Sequence, residues 1–591
     1  MRDLHKSSPV FFKVFIALFV LAFLFFPPAE GAQTMRKDAF ISGLLKARGF
    51  PLPAGEKNLV KAALDYDLVP SGIDNFAGPV TRREAILWAI HSLGLSFESS
   101  LLTGIPLPFK DGGKLAPSER GAVAAALNMK PPLLKKGVSA FGPDVKITPK
   151  EGESILAIVK AASRSLVLSA RLSPEKGMTV HIDRRGAISA PPKWRALVNG
   201  FETREEAEAF RSLLAGRTVE ATVDSQNYDW RVRSVLSDRY GPIREFLEAA
   251  RGEGREGVVF TSPPSWEKEE VPKYWVMITL DPARFALRPI FAPQGLSALA
   301  PLSSMAGSAA AAINGGFFTI SGKEQGSPIG VLLSEGMFIN PPYQGRTCLG
   351  WNDQNQAAFG HLECSTKVTF PEGGYMEITA FNREMKGSGV VLFTPHFGKP
   401  TPLFKTQGIE LLLQGKRIEE IRTSGGNPIP EGRRVLAVYG PSASLLSSLR
   451  KGDILGIDQS LNGDDPYWGS MTEAVQGGPF LLRKGQIVIE DESLSDSVVN
   501  RRHPRTVLGL TAKGQWFFFV GDGRSAVHSL GFTLRETAEI LKKEGVSYAL
   551  NLDGGGSSSI MAGSRILNVL SDGRERPVSY GVGAFRKGGD S

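Results

Sequence analysis

Several short stretches of this chain place polar side chains and paired glycines directly after apolar runs. Ala311-Ala312-Ile313 leads into Asn314-Gly315-Gly316, and Ala474-Val475 leads into Gln476-Gly477-Gly478-Pro479. Val546-Ser547-Tyr548-Ala549-Leu550 leads into Asn551-Leu552-Asp553, then three glycines (554–556) and three serines (557–559). Phe517-Phe518-Phe519-Val520 leads into Gly521-Asp522-Gly523, and Arg505-Thr506 opens the run Val507-Leu508-Gly509. Glycine costs a helix or strand about 1 kcal/mol relative to alanine, so glycine clusters mark places where backbone must approach something closely. Each of these residue types has a job it could do on a phosphorylated sugar. Arg505 offers a planar fork of donors for a pair of phosphodiester oxygens, with Thr506 beside it. The N–H groups at Gly315, Gly316, Gly477, Gly478, Gly554, Gly555 and Gly556 can face the same anion, with Ser557 next in line. Asn314 and Gln476 suit sugar hydroxyls or an acetamide. Asp553 is the first candidate for acid/base or nucleophilic work, Asp522 the second and Glu473 the third.

Each residue taken alone has an ordinary reading. An arginine pairs with an acid, an Asp before Gly is a turn residue, and His503 before Pro504 sits in a loop. Their joint occurrence at the ends of apolar runs is what points to several strand ends meeting at one pocket. The elements that must position them are short strands separated by Gly-rich turns, which is the texture of the chain from about 274 to 585. Sixty-six glycines and thirty-nine prolines also favour turn-rich β structure over a helical bundle.

The stretches Ile313-Asn314-Gly315-Gly316-Phe317-Phe318, Gln476-Gly477-Gly478-Pro479, Arg505-Thr506-Val507-Leu508-Gly509 and 551–558 together resemble the signatures of the phosphodiester glycosidase family. Phe381-Asn382-Arg383, Leu392-Phe393-Thr394-Pro395 and the closing run 568–576 extend the resemblance over about 310 residues in the expected order. It implies a mixed α/β catalytic domain over 270–588. It further implies hydrolysis of the sugar C1–O bond in a sugar-1-phosphodiester of the N-acetylglucosamine (GlcNAc) type. No cofactor is implied, and no metal-ligand spacing is apparent, although Asp553 and Asp522 together could hold a divalent ion. The competing reading is a non-catalytic protein that binds anionic wall glycans through the same residues.

The rest of the chain reads as a multidomain envelope protein. Arg2, His5 and Lys6 precede an apolar run over 14–26 that Pro27-Pro28 break, so 1–32 is a signal peptide or a retained membrane anchor. Over 33–170, Met35-Arg36-Lys37-Asp38, Thr81-Arg82-Arg83-Glu84 and Thr148-Pro149-Lys150-Glu151 open successive helices, the last two with capping boxes. With Phe109-Lys110-Asp111 these resemble α-helical S-layer homology modules, which implies attachment to an anionic wall polymer. Trp194 to Phe201 alternates like a strand, and Thr203-Arg204-Glu205-Glu206 then starts a capped helix. That pairing is similar to a small α+β SPOR module over 178–240. Pro263-Pro264 and Pro272 mark a linker.

Net charge is +9 with no long basic run and no nucleic-acid motif, which suits an anionic glycan or membrane surface better than nucleic acid. The sequence therefore places the protein outside the cytoplasm, at the cell wall or the outer face of the cytoplasmic membrane. The only cysteines, Cys348 and Cys364, flank a turn at 351–356; a cross-strand disulfide and two free thiols both remain open.

Overall fold

The computed structural model describes residues 33–588 apart from 54, 71, 74, 136, 138, 189, 227–228, 264–271, 297, 321–323, 386 and 406. Residues 1–32 and most of the proline-marked linker lie outside the described residues. The chain divides into two units. One comprises Met1–Leu172, His181–Tyr274 and Arg524–Leu530, and the other Ser173–Val180, Trp275–Gly523 and Gly531–Ser591. Among the described residues, no helix is long and apolar enough to cross a membrane.

The first unit begins with helices that include Lys37–Arg48, Arg82–Ser92, Pro117–Asn128 and Pro149–Ser165. Thr81 starts its helix with a complete capping box: Thr81 N donates to Glu84 Oε2 at 2.9 Å while Thr81 Oγ1 accepts from Glu84 N. Ala85, Ile86, Ala89 and Ile90 then face the core. Thr148 caps only one way. Its hydroxyl accepts from Glu151 N, but the Glu151 carboxylate turns to Arg82, with Nε to Oε1 at 2.7 Å and both side chains buried. A buried guanidinium needs a counter-charge more than the helix start needs a second cap, because an unpaired buried ion costs several kcal/mol. Asp111 accepts from the amides of Phe141 and Gly142, both at 2.7 Å, tying the Phe-Lys-Asp stretch to a later turn.

A four-stranded antiparallel sheet follows, in the order Ala221–Gln226, Asp229–Ser234, Lys193–Phe201, Gly257–Ser262, with helices Arg204–Leu214 and Tyr240–Gly252. This α+β unit runs from 193 to 262, later at both ends than the 178–240 span read from the sequence. The strand Met178–Arg185 lies in a different sheet. Thr203 Oγ1 accepts from Glu206 N, but the Glu206 carboxylate accepts from Glu202 N, one residue earlier than a capping box requires.

The second unit is built mainly from antiparallel strand pairs, with one parallel pair between Ala380–Phe381 and Gly389–Phe393. One sheet runs in the order Lys273–Leu280, Trp516–Gly521, Arg505–Thr511, Val546–Asn551, Phe480–Arg483, Gln486–Ile487. Helix Leu534–Lys543 covers it through Leu534, Ala538 and Leu541, which pack on Phe517, Phe519 and Val507. A second sheet places Ala311–Asn314 between Ile560–Ala562 and Tyr580–Arg586. A third places Glu473–Gln476 between Leu332–Ser334 and Cys348–Trp351. Two further sheets cover 362–463 and share a core with the third through Leu392, Leu411, Leu436 and Trp468.

Arg82→Met strands the Glu151 carboxylate and is expected to cost about 3 to 5 kcal/mol in urea unfolding. Arg82→Met combined with Glu151→Leu should recover most of that loss; no recovery would show that the ion pair is not what holds these helices.

Candidate active site

The polar strand ends of the second unit do meet. Asn314, at the end of its strand, is buried and fully bonded. Its Oδ1 accepts from Thr506 Oγ1 at 2.9 Å and Ser559 N at 3.1 Å, and its Nδ2 donates to the carbonyls of Asp553 at 2.8 Å and Gly315 at 3.1 Å. Leu552 N donates to Thr506 O, and Asp553 N to Gly315 O. Gly478 N donates to Asn551 O at 2.8 Å, and Asn551 Nδ2 returns a bond to Gly478 O at 2.7 Å. Ends of three sheets are therefore stitched around the loop that carries Asp553.

The stitching reassigns several residues. Gln476 is buried, and its amide is saturated: Oε1 accepts from Val331 N and Tyr343 N, while Nε2 donates to the carbonyls of Tyr343 and Arg346. Asn314 and Gln476 thus hold protein loops, and neither keeps an amide hydrogen or lone-pair site for sugar hydroxyls. Thr506 Oγ1 is likewise engaged, by Asn314 and by Ser558 Oγ at 3.1 Å. Arg505 donates to the carbonyls of Phe532, Val498 and Arg501, at 2.9, 2.7 and 2.8 Å. Burial lowers its pKa to about 10. This guanidinium clamps loop carbonyls through Nε and Nη2.

Five of the seven candidate glycine amides, those of Gly315, Gly316, Gly477, Gly478 and Gly555, are similarly occupied. Gly315 N bonds Tyr580 O, Gly316 N bonds the Tyr580 hydroxyl at 2.9 Å, Gly477 N bonds Thr347 O and Gly555 N bonds Pro504 O. These glycines admit close packing and do not form a vacant anion cradle. A Cβ on Gly315 would strike the Tyr580 ring, one on Gly316 or Gly477 a neighbouring backbone carbonyl, and one on Gly556 the Asp572–Arg576 ion pair.

Asp553 stands apart from these bonded groups. It is half-buried, and burial raises its carboxyl to about 6, with the Ser557 hydroxyl, the Arg576 charge and the Gly554 amide pulling partway back. Arg576 is held by Asp572, with Nη2 to Oδ2 at 2.6 Å. Tyr580 is buried beside this carboxylate; burial first, then the Asp553 charge, push its phenol up. Asp522 is buried, and its Oδ2 accepts from Val569 N at 2.7 Å, anchoring the segment that leads to Asp572 and Arg576. Asp522 and Asp553 follow strands on either side of Arg505–Thr511, so their backbones are separated by two strand spacings, roughly 10 Å. Glu473, raised to about 7 by burial, begins the strand that Gln476 ends. Three residues of strand, roughly 10 Å, separate it from the joined ends. Among the described residues, no group of three or more His, Cys, Asp or Glu is arranged to hold a metal.

Sequence reasoning passed over Tyr580, Glu492 and Arg346. Glu492 is buried, accepts from Thr347 N and Thr347 Oγ1, and packs where a Cβ on Gly478 would lie. Burial raises its pKa. None of the three carries a distinctive sequence signal, and Tyr580 is simply the aromatic that opens the last strand. Cys348 and Cys364 are both free thiols. Cys348 faces Gly360 across its hairpin, whereas Cys364 lies in the next strand opposite Leu461, in another sheet. Burial pushes both thiols up, that of Cys364 to about 11.

Comparison with known proteins gives the class of this domain. Residues 407–585 match the family model described as phosphodiester glycosidase, so the chain carries a phosphodiester glycosidase domain over that range. The human N-acetylglucosamine-1-phosphodiester alpha-N-acetylglucosaminidase is 28% identical over 162 residues, 25% of this chain and 30% of that enzyme. The Bos taurus enzyme gives the same figures. The chain thus matches less than a third of the length of these relatives. A crystal structure of a Burkholderia pseudomallei K96243 protein, described as exported, covers 71% of this chain and 96% of its own. Its TM-score is 0.50 at 20% identity, a likeness of fold. Asn314, Gly315 and Gly316 lie ahead of the matched range, yet the first two bond the Asp553 loop inside it and Gly316 bonds Tyr580.

If Asn314 and Gln476 act by holding loops, Asn314→Ala and Gln476→Ala lower the melting temperature and kcat together. A selective rise in KM at unchanged stability would instead assign them to substrate.

Proposed function

We propose that the chain is a hydrolase that cleaves the sugar C1–O bond of GlcNAc-1-phosphodiesters, releasing the sugar and a phosphomonoester. The observation that carries this reading is the Asp553 carboxylate, raised to about 6 by burial at the meeting point of three sheets, inside the phosphodiester glycosidase match. A phosphate leaving group is already acidic, so it needs little protonation as the C–O bond breaks. The heavier demand is to activate water or to stabilise the oxocarbenium-like carbon, and an ionised carboxylate does either. Asp553 takes that role. Arg576, close enough to lower the pKa of Asp553, brings positive charge to the same loop. Tyr580 and Asn314 hold the backbone on either side.

Two consequences follow for Asp553. The purified chain should release GlcNAc from a GlcNAc-1-phosphodiester, and Asp553→Asn should lower kcat by roughly a thousandfold or more. Full activity in Asp553→Asn, or no turnover by the wild type, would sink the reading. As a base or charge stabiliser, Asp553 must be ionised, so kcat/KM should fall as pH drops through about 6.

The sign for stability is opposite. A folded-state pKa above the usual carboxylate value favours the protonated form, so its contribution to stability is lost as pH rises through about 6. Asp553→Asn escapes that loss. It should melt higher than wild type at pH 7.5, and the gap should close near pH 4; an equal or lower melting point at pH 7.5 would count against a strained carboxylate.

We also propose that the enzyme is exported and acts on an envelope polymer. The pattern of residues 1–32, the repeated helix starts over 33–170 and the net charge of +9 support this. Chain lacking residues 1–32 should co-sediment with purified cell walls and be released by salt; failure to co-sediment at low salt removes the anchoring claim.

A further inference from the structure

One cation near the stitched loops has no hydrogen-bond acceptor among the described residues. Arg346 lies half-buried in the segment Pro341-Pro342-Tyr343-Gln344-Gly345-Arg346-Thr347. Its guanidinium carbon sits 5.2 Å from the Phe317 ring centre and 5.1 Å from that of Tyr343. Among the described residues, its Nε is buried without a hydrogen-bond partner, and no carboxylate or carbonyl takes up its terminal nitrogens. An arginine left this way is unusual, because a guanidinium taken from water ordinarily finds an acceptor. Two aromatic rings hold its plane and supply cation–π attraction, but they leave the donor edge unsatisfied.

Its backbone, by contrast, is fixed. Gln476 Nε2 donates to the Arg346 carbonyl at 2.7 Å, and Gln476 Oε1 accepts from Tyr343 N at 2.7 Å. The next residue, Thr347, is pinned by Glu492 through both its amide and its hydroxyl. Phe317, the ring under Arg346, follows Gly315 and Gly316 directly. Gly315 O accepts from Asp553 N, and Gly316 N bonds the Tyr580 hydroxyl beside the same carboxylate. A donor fork without an acceptor is thus positioned on the same bonded framework as Asp553.

We infer that Arg346 is the residue that grips the substrate phosphate. This rests on the phosphodiester glycosidase reading above and gives it an anion-binding group besides Arg505, whose Nε and Nη2 are taken up by loop carbonyls. A planar fork can take two non-bridging phosphate oxygens at once, and Tyr343, 54% exposed, leaves one side of the clamp open to an incoming group. The contact strengthens as the C1–O bond breaks and charge gathers on the leaving phosphate, so it acts on kcat as well as on binding.

The test uses the full chain with Arg346→Gln and Arg346→Lys, two substrates and a calorimeter. On a GlcNAc-1-phosphodiester, Arg346→Gln should lower kcat/KM roughly 10- to 100-fold, the range of a charge-assisted hydrogen bond to phosphate. Release of GlcNAc from a neutral aryl α-glycoside should change by no more than about threefold, since no phosphate is present. Arg346→Lys should recover part of the loss as a point charge. Inorganic phosphate, titrated separately, should bind wild type and bind Arg346→Gln at least about tenfold more weakly. Equal phosphate affinity in the two proteins, no phosphate binding by wild type, or equal losses on both substrates overturns the assignment. If wild type turns over neither substrate, the enzymatic reading fails alone, and the phosphate titration still decides Arg346.

Discussion

The buried carboxamide of Asn314 is the constraint on which the site depends. It ends one strand of one sheet, yet its four bonds reach the hydroxyl of Thr506 in a second sheet, the amide of Ser559, and the carbonyls of Gly315 and Asp553. An amide is the smallest side chain that offers two acceptor and two donor directions in one plane. Any buried position left unfilled would cost about 1 to 3 kcal/mol, so the network is strongly biased towards one arrangement of these loops. Gln476 does the same for the 341–347 segment. The paired glycines complete the design by letting backbones come within bonding distance of one another.

Within this framework, two charged groups stand out. Asp553 is held where its charge is disfavoured, and Arg346 is held where its donors find no acceptor. One is a carboxylate with more basicity than water would give it. The other is a cation with desolvation already partly incurred. The fully bonded carboxamides of Asn314 and Gln476 fix the loops that carry both, an arrangement that lets a site meet a charged transition state with little rearrangement.

The sequence disclosed where the site is better than what each residue does there. An apolar run ending in polar-plus-glycine is a local pattern, so the converging strand ends were legible at 314, 476, 505, 521 and 551. Asn314 as a loop tie and Asn314 as a sugar contact have the same local sequence; only the partners distinguish them, and those partners lie 192 to 245 residues away. The same holds for Arg505, whose acceptors are carbonyls, and carbonyls leave no mark in a sequence. Arg346 sits in a turn with no periodicity, and Tyr580 reads as an ordinary strand aromatic. Helix starts were legible through Thr81 and Glu84, but the diversion of Glu151 to Arg82 depends on a contact 69 residues distant.

The interrupted course of the chain limits how it can be divided. The β-rich unit draws on Ser173–Val180 well before its main body, and it surrenders Arg524–Leu530 in the interval between Asp522 and the helix at Leu534–Lys543. A single cut at the proline-rich stretch near 263–272 would take a segment from one unit and leave an orphaned segment in the other. The two halves are therefore interleaved along the chain, and neither can be exchanged, lost or transplanted in evolution or in the laboratory by one break.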